Sequence, residues 1–331
     1  MKELIKKLVE AAAPSGYEKA IRDIILSEAE GYADEARIDA LGNLIICKGS
    51  KREGGRRIML AAHMDEIGVM ATHIDEKGFI RYATIGGVYP QTCFGARVIF
   101  TNGVQGVIGA EYFTDYEKMP KHEKMYIDVG ATSRDSCPVK IGDTAVFDRP
   151  FLDLGKRIVA KAMDDRVAVA VMIAALKEIT DTINQIYFVF TVQEEVGIRG
   201  ATTATFGLDP DIGLAVDVTD TGDTPKGIKM AVELGKGPAI KVLDDGIIVD
   251  RRVVDWMSGT AEKYNIPYQY EVLDNGATDA AAMHISRAGV PSGCLSIPTR
   301  YIHMPSEMVD MGDIENSVRL LVQLIGNRIN L

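Results

Sequence analysis

The stretch Ile186–Gly197 reads IYFVFTVQEEVG. Its first half is an unbroken apolar run of β-branched and aromatic residues, the composition of a strand buried on both faces in a parallel sheet. Its second half places two adjacent carboxylates, Glu194 and Glu195, where that strand would emerge. Like charges side by side are unfavourable unless solvent or a ligand needs them there. Neighbouring side chains of a strand point to opposite faces, so both glutamates can converge on one site only where the strand ends and its alternation relaxes. The stretch therefore predicts an α/β fold with a site beyond the carboxyl ends of its strands, where ligands bind in open α/β sheets.

The same texture recurs on either side. LIICKG (Leu44–Gly49), RRIMLAAHMD (Arg56–Asp65), DIGLAVDV (Asp211–Val218) and GCLSI (Gly293–Ile297) read as further strands. Helical periodicity marks Lys2–Ala13, Tyr17–Glu30, RVAVAVMIAALKEI (Arg166–Ile179), VVDWMSGTAEKY (Val253–Tyr264), a short helix Asp279–Ala288 and a terminal helix from Asp313 to about Arg328. Between Val69 and Phe147 the pattern changes to short alternating segments punctuated by glycine, such as THIDEKGFIRYATIGG and ARVIFTNGVQGVIGAEY. That texture predicts a small β-barrel or sandwich. The expected organisation is a discontinuous α/β domain, residues 1–67 plus 158–331, interrupted by a β-rich domain, residues 68–157.

Composition narrows the function. The 331 residues are 47% hydrophobic and 25% charged, an ordinary globular balance. The net charge of −10, without a basic stripe, argues against nucleic acid as a partner. No apolar run approaches the roughly 18 residues of a membrane span. The amino-terminal amphipathic pattern carries lysines that a secretory segment would not, and the four cysteines are scattered without paired spacing. The expectation is a cytoplasmic protein with reduced thiols.

Four strand ends finish on residues that can hold a metal: HMDE (His63–Glu66), QEE (Gln193–Glu195), DVTD (Asp217–Asp220), and RYIHMP (Arg300–Pro305), which follows GCLSI and contains His303. A fifth acidic pair, Asp164 and Asp165, opens the helix RVAVAVMIAAL. Each has a bland reading. His63 and His303 could be backbone-bonded histidines, Asp164 and Asp165 a helix cap, Asp217 a turn residue, and the glutamate pair a solvated rim. Five such coincidences at strand or helix ends are better explained by one shared site. His63 and Asp65 lie two apart, on one face of an extended chain, so the carboxylate can orient the imidazole. Two histidines and three carboxylates without thiolates form an N/O ligand set that suits Zn, Co or Mn better than Ca or Mg. One shared carboxylate would let the set hold two cations. His73, His122 and His284 sit in unrelated contexts and are not expected to be ligands.

HMDEIG, KAMDDR, QEEVGIRG, DVTD and RYIHMPSEM together resemble the motifs of the cytoplasmic dinuclear-metal aminopeptidases of the TET type, a family that includes glutamyl and leucyl aminopeptidases and proteins once described as cellulase-like. The resemblance covers nearly the whole chain. It implies a mixed-sheet α/β metallopeptidase domain of the phosphorylase/hydrolase-like kind with an inserted PDZ-like β-barrel. It implies that His63, Asp164 and Asp217 bind one divalent metal and that Asp164, Glu195 and His303 bind another, with zinc or cobalt expected and manganese a further fit. The residues alone leave open whether Asp164 or Asp165 bridges; the resemblance selects Asp164. It further implies that Asp65 orients His63, that Glu194 is the general base for a metal-activated water, that short peptides lose their first residue, and that dimers assemble into dodecamers through the β insertion. NGATDA (Asn275–Ala280) departs from the more glycine-rich form in many relatives and falls in an expected substrate loop. Carboxylates beyond the ligands, Asp65, Glu66, Glu194 and Asp220, would favour a protonated amine as guest. A deacylase or carboxypeptidase using the same cage would instead need a cationic clamp, for which Arg199 and Arg300 are the candidates, and a non-catalytic metal-binding assembly protein would have no need of Glu194 beside Glu195.

Overall fold

The computed structural model describes residues 1–114 and 119–331. Its larger unit is an 11-stranded mixed sheet. The centre consists of four parallel strands in the order Gln185–Thr191, Arg57–His63, Ile212–Thr219 and Ser292–Arg300. Phe188, Phe190, Leu60, Leu214 and Leu295 on these strands are fully buried, as their near-continuous apolar sequences require. Antiparallel strands extend the sheet on both sides, Leu44–Lys48 and Glu35–Ile38 beyond one edge and Glu307–Asp310, Arg157–Ala160 and Leu152–Asp153 beyond the other. A side branch, Ala239–Leu243 with Gln269–Val272, pairs onto Ser292–Arg300.

Two separate helix groups cover the sheet. Met163–Glu178 packs with Met311–Gly326 and the amino-terminal helix Lys2–Val9, and Arg199–Leu208 packs with Asp279–His284. Residues Val167–Ile173 are buried on every side of their helix, so that helix runs through the core. The first helix stops at Val9, short of the Ala13 that periodicity suggests. The carbonyls of Leu8, Ala11 and Ala13 are instead taken by the buried guanidinium of Arg166.

The inserted unit is a closed, six-stranded antiparallel barrel: Gly68–Ile74, Ile80–Ile85, Met125–Asp128, Gln105–Ala110, Arg97–Phe100 and Thr144–Phe147 in order of pairing. It has its own core, with Ile80, Val98, Phe100, Ile108 and Ile127 fully buried, and closure leaves no free edge. The chain enters the barrel directly from the carboxyl end of Arg57–His63. It returns through the hairpin Leu152–Asp153 and Arg157–Ala160, which pairs within the large sheet ahead of the 157/158 junction expected from sequence texture. The barrel therefore stands at the edge of the sheet where the parallel strands end. No described helix is long and apolar enough to cross a membrane.

Candidate active site

The four parallel strands end at Thr191, His63, Thr219 and Arg300, on one edge of the sheet. Each delivers a polar side chain there: Glu194 and Glu195 just past the first, His63 at the end of the second, Asp217 two residues before the end of the third, and His303 just past the fourth. Asp164 and Asp165 come from the first turn of Met163–Glu178, where their backbone angles are not helical and a cis peptide joins them. That first turn has no side-chain cap, so the bland reading of the pair as helix caps does not apply. Five of the nine described non-glycine residues with positive φ flank the cluster: Ala162, Gln193, Ile198, Tyr301 and His303. Backbone strain of this kind persists where surrounding structure over-determines it.

Among the described residues, His63, Asp164 and Asp217 offer ligand atoms within 4.8 Å of one another, and so do Asp164, Glu195 and His303. Asp164 belongs to both groups. Its Oδ1 lies 2.9 Å from His63 Nε2 and its Oδ2 lies 3.3 Å from His303 Nε2. The second histidine nitrogen is also 3.2 Å from Glu195 Oε2. Asp165 turns the other way and accepts the His63 backbone amide at 3.3 Å. Of the two aspartates, the geometry places Asp164 between the histidines. His73, His122 and His284 are in neither group.

Hydrogen bonds fix this arrangement from behind. The Asp65 carboxylate accepts the Ser15 hydroxyl at 2.6 Å and the backbone amides of Glu194 at 3.0 Å and Glu195 at 3.2 Å. It thereby holds the turn that carries both glutamates. The nearer acceptor for His63 Nδ1 is the Asp65 carbonyl at 3.1 Å, with the carboxylate at 3.6 Å. Glu307, buried and assigned no role by sequence reasoning although it lies in RYIHMPSEM, accepts the amides of Asp164 at 3.0 Å and His303 at 2.9 Å. Asp279 accepts the Thr191 hydroxyl at 2.6 Å. Neither Glu307 nor Asp279 carries a motif spacing that announces it. His303 is four residues from Glu307, but Asp164 and Thr191, the other partners, lie far along the chain.

The electrostatics are short of positive charge. Burial pushes the carboxyls of Glu194, Glu195 and Asp217 above their ordinary range, and their acidic neighbours add to the rise, against the opposing pull of His63 or His303. Burial also raises Asp165, with Asp217 and Asp164 adding to it, and pushes Asp279 up to about 6. Asp164 behaves oppositely: burial disfavours its charge, but His303 and His63 outweigh burial and hold it low. Asp165 Oδ1 and Asp279 Oδ1 are buried without hydrogen-bond partners. Asp164, Glu194, Glu195 and Asp217 thus stand against two imidazoles, with Asp165 and Asp279 adding to the acidic surroundings, an imbalance that divalent cations would relieve.

The cluster opens into a cleft of about 510 Å³, lined also by Tyr89, Ile198, Asp220, Lys241 and the loop Asn275–Thr278. Glu194 and Asp220 face this cleft, as the carboxylate-rich reading expects. Asp65 and Glu66 do not line it: Asp65 is buried behind the turn, and Glu66 is paired with Lys161 and Arg166. The expected cationic clamps also differ. Arg300 is held by Asp223 through two bonds of 2.9 and 2.6 Å, and exposed Arg199 binds Gln193. Among the described residues, the one lysine or arginine lining the cleft, Lys241, is neutralised by Glu271 and by Asp244 at 3.1 Å. Burial raises the Asp223 carboxyl, but Arg300 outweighs it and holds the group at about 2. This folded value lies below the unfolded one, so the pair stabilises the fold above about pH 4, and the contribution disappears as pH falls through about 2. Asp223→Asn is expected to remove on the order of 1 kcal/mol at neutral pH, after solvent screening, and only a small part of that at pH 2. Urea unfolding at the two pH values checks it, and an equal loss at both would contradict the pairing.

Comparison with known proteins converges on one family. The model of the M42 glutamyl aminopeptidase family matches residues 42–320. The lysyl aminopeptidase of Pyrococcus furiosus is 37% identical over 98% of this chain and 96% of its own. The solved aminopeptidase of the archaeon Desulfurococcus kamchatkensis superposes with a TM-score of 0.93 at 41% identity, covering 98% of this chain and 94% of that one. The TET1 peptidase of Pyrococcus horikoshii, which can assemble into a tetrahedron or a large octahedral shell, superposes with a TM-score of 0.88 at 33% identity and 98% coverage of both chains. With these matches spanning the sheet, the inserted barrel and every strand end of the cluster, the chain belongs to the M42 aminopeptidase family and is a metallopeptidase that hydrolyses peptide bonds.

Proposed function

We propose that the cluster holds two divalent cations, zinc or cobalt with manganese a further fit, and removes the first residue of short peptides. The observation that carries this reading is the sharing of Asp164 by two ligand groups, each completed by one histidine and one further carboxylate. Imidazole and carboxylate donors suit these metals, and the excess of buried carboxylate charge suits two of them. In this reading His63, Asp164 and Asp217 are the ligands of one position, and Asp164, Glu195 and His303 those of the other. Divalent cations there would supply Lewis acidity, lowering the pKa of water and polarising a carbonyl.

The chain's own residues do the rest. Glu194 lines the cleft but belongs to neither ligand group. It takes the proton of the attacking water and delivers it to the leaving amine. Asp65 fixes the glutamates relative to each other through their amides. Glu194 and Asp220 supply negative charge where a substrate's α-ammonium would sit. Residues 1–67 and 158–331 form the catalytic unit in this reading. The unit of residues 68–157, apart from the segment from Leu152 that pairs into the large sheet, serves assembly, from dimers to a dodecamer. A related TET1 peptidase was solved with a dodecamer in its asymmetric unit. A cytoplasmic location accords with reduced cysteines, of which Cys47, Cys93 and Cys294 are buried and unpaired.

The test is a peptide panel. Cobalt- or zinc-loaded protein is expected to release the first residue from peptides with free amines, to leave their acetylated versions intact, and to stop on chelation. Equal cleavage of acetylated peptides, or release from the carboxyl end, would move the protein to the deacylase or carboxypeptidase reading.

A further inference from the structure

We propose that the barrel turn Gly86–Tyr89 is a positioning element for one cation position only, the one formed by Asp164, Glu195 and His303. The proposal rests on the two-cation reading above. No described barrel residue belongs to either ligand group, yet the barrel turn lies against both ligands peculiar to that position. A Cβ on Gly87 would stand 2.5 Å from His303 Nδ1 and 2.8 Å from its Cε1. One on Gly86 would stand 3.1 Å from both Cβ and Oε2 of Glu195 and 2.9 Å from Ile67. Neither His63 nor Asp217 is among the nearest atoms at either glycine.

The sequence explains the approach. Gly86 has φ +72°, a conformation that favours glycine, and Gly87 permits the imidazole to pack on bare backbone. The turn is braced from the barrel side: Val88 donates its amide to the Gly86 carbonyl at 3.0 Å, and His122 Nε2 lies 3.0 Å from the Val88 carbonyl while its Nδ1 meets the Tyr82 hydroxyl at 3.2 Å. His122, which is no ligand, thus holds the turn that presses on one. His303 is then fixed at two points, its amide by Glu307 and its ring by Gly87. Removing either leaves the ring free to rotate off the position shared with Asp164 and Glu195. Residues that orient a ligand without touching the metal typically change metal affinity by about 10–100-fold.

Cobalt titration of the full chain, read by visible absorption and by metal analysis, tests the proposal. Wild-type protein is expected to take up two cobalt ions. Gly87→Ala is expected to bind the first as wild type does and the second about 10–100-fold more weakly, with the absorption of the second ion altered. Its metal-free unfolding midpoint should be little changed. His122→Ala, which adds no atoms to the site, should weaken the same position to a smaller degree and keeps the test decisive if Gly87→Ala fails to fold. Wild-type affinity for both ions in the variants, or equal weakening of both positions, would overturn the positioning role. A wild-type chain that binds fewer than two ions would overturn the two-cation reading and this proposal with it.

Discussion

Glu194→Gln is expected to lower turnover by about 10²–10⁴-fold while two cations remain bound, whereas Glu195→Gln is expected to weaken one cation position. The neighbours divide because of where they point. Glu195 Oε2 sits 3.2 Å from His303 Nε2 and belongs to a ligand group, while Glu194 lines the cleft outside both groups. Their amides are held by the same Asp65 carboxylate, so an amide substituted for either side chain leaves the turn in place. Turnover on a free-amine peptide, measured with metal content on the same samples, separates the two roles. If both variants keep full metal and full activity, the pair is a solvated rim and the assignment of a base collapses.

Glu66→Ala is expected to destabilise the fold by about 3–5 kcal/mol, because it leaves two buried cations without their partner. Glu66 is 3% exposed and bonds Lys161 Nζ at 2.7 and 2.9 Å, Arg166 Nη2 at 3.0 Å and the Ala13 amide at 3.1 Å. Arg166 is fully buried and also reaches the Met64 carbonyl at 3.2 Å. Burial brings the Lys161 ammonium down to about 8 even with Glu66 beside it. The cluster ties the amino-terminal segment to the strand end that carries His63, so its loss reaches the site as well as the fold. Guanidinium unfolding of the metal-free protein measures the effect. A loss below about 1 kcal/mol would mean that water or a neighbouring group compensates the cations.

The strands, the barrel and the ligand candidates were legible because each is written locally. IYFVF, LAVDV and RIMLAAH are short apolar runs, and the side chains at their ends follow from strand direction alone. The glycine-punctuated alternation of residues 69–147 likewise announced the barrel. What stayed hidden depends on distant pairings. Nothing near Glu307 says that its carboxylate will join the amide of nearby His303 to that of Asp164, 143 positions away, or that Ser15 will bond Asp65 across 50 residues. Arg300 looked free for a substrate carboxylate because its partner, Asp223, lies 77 positions away. Glu66 looked like a cleft anion because sequence does not reveal that Lys161 and Arg166 close over it. Gly86 and Gly87 looked like ordinary turn glycines, and only the approach of His303 and Glu195 gives them a further reason.

In the proposed site Asp164 stands between two cations. Anomalous scattering from a cobalt-soaked crystal measures this directly. Two peaks per chain are expected, one among His63, Asp164 and Asp217 and one among Asp164, Glu195 and His303. A single peak, or a bridging carboxylate at Asp165 instead of Asp164, would contradict it.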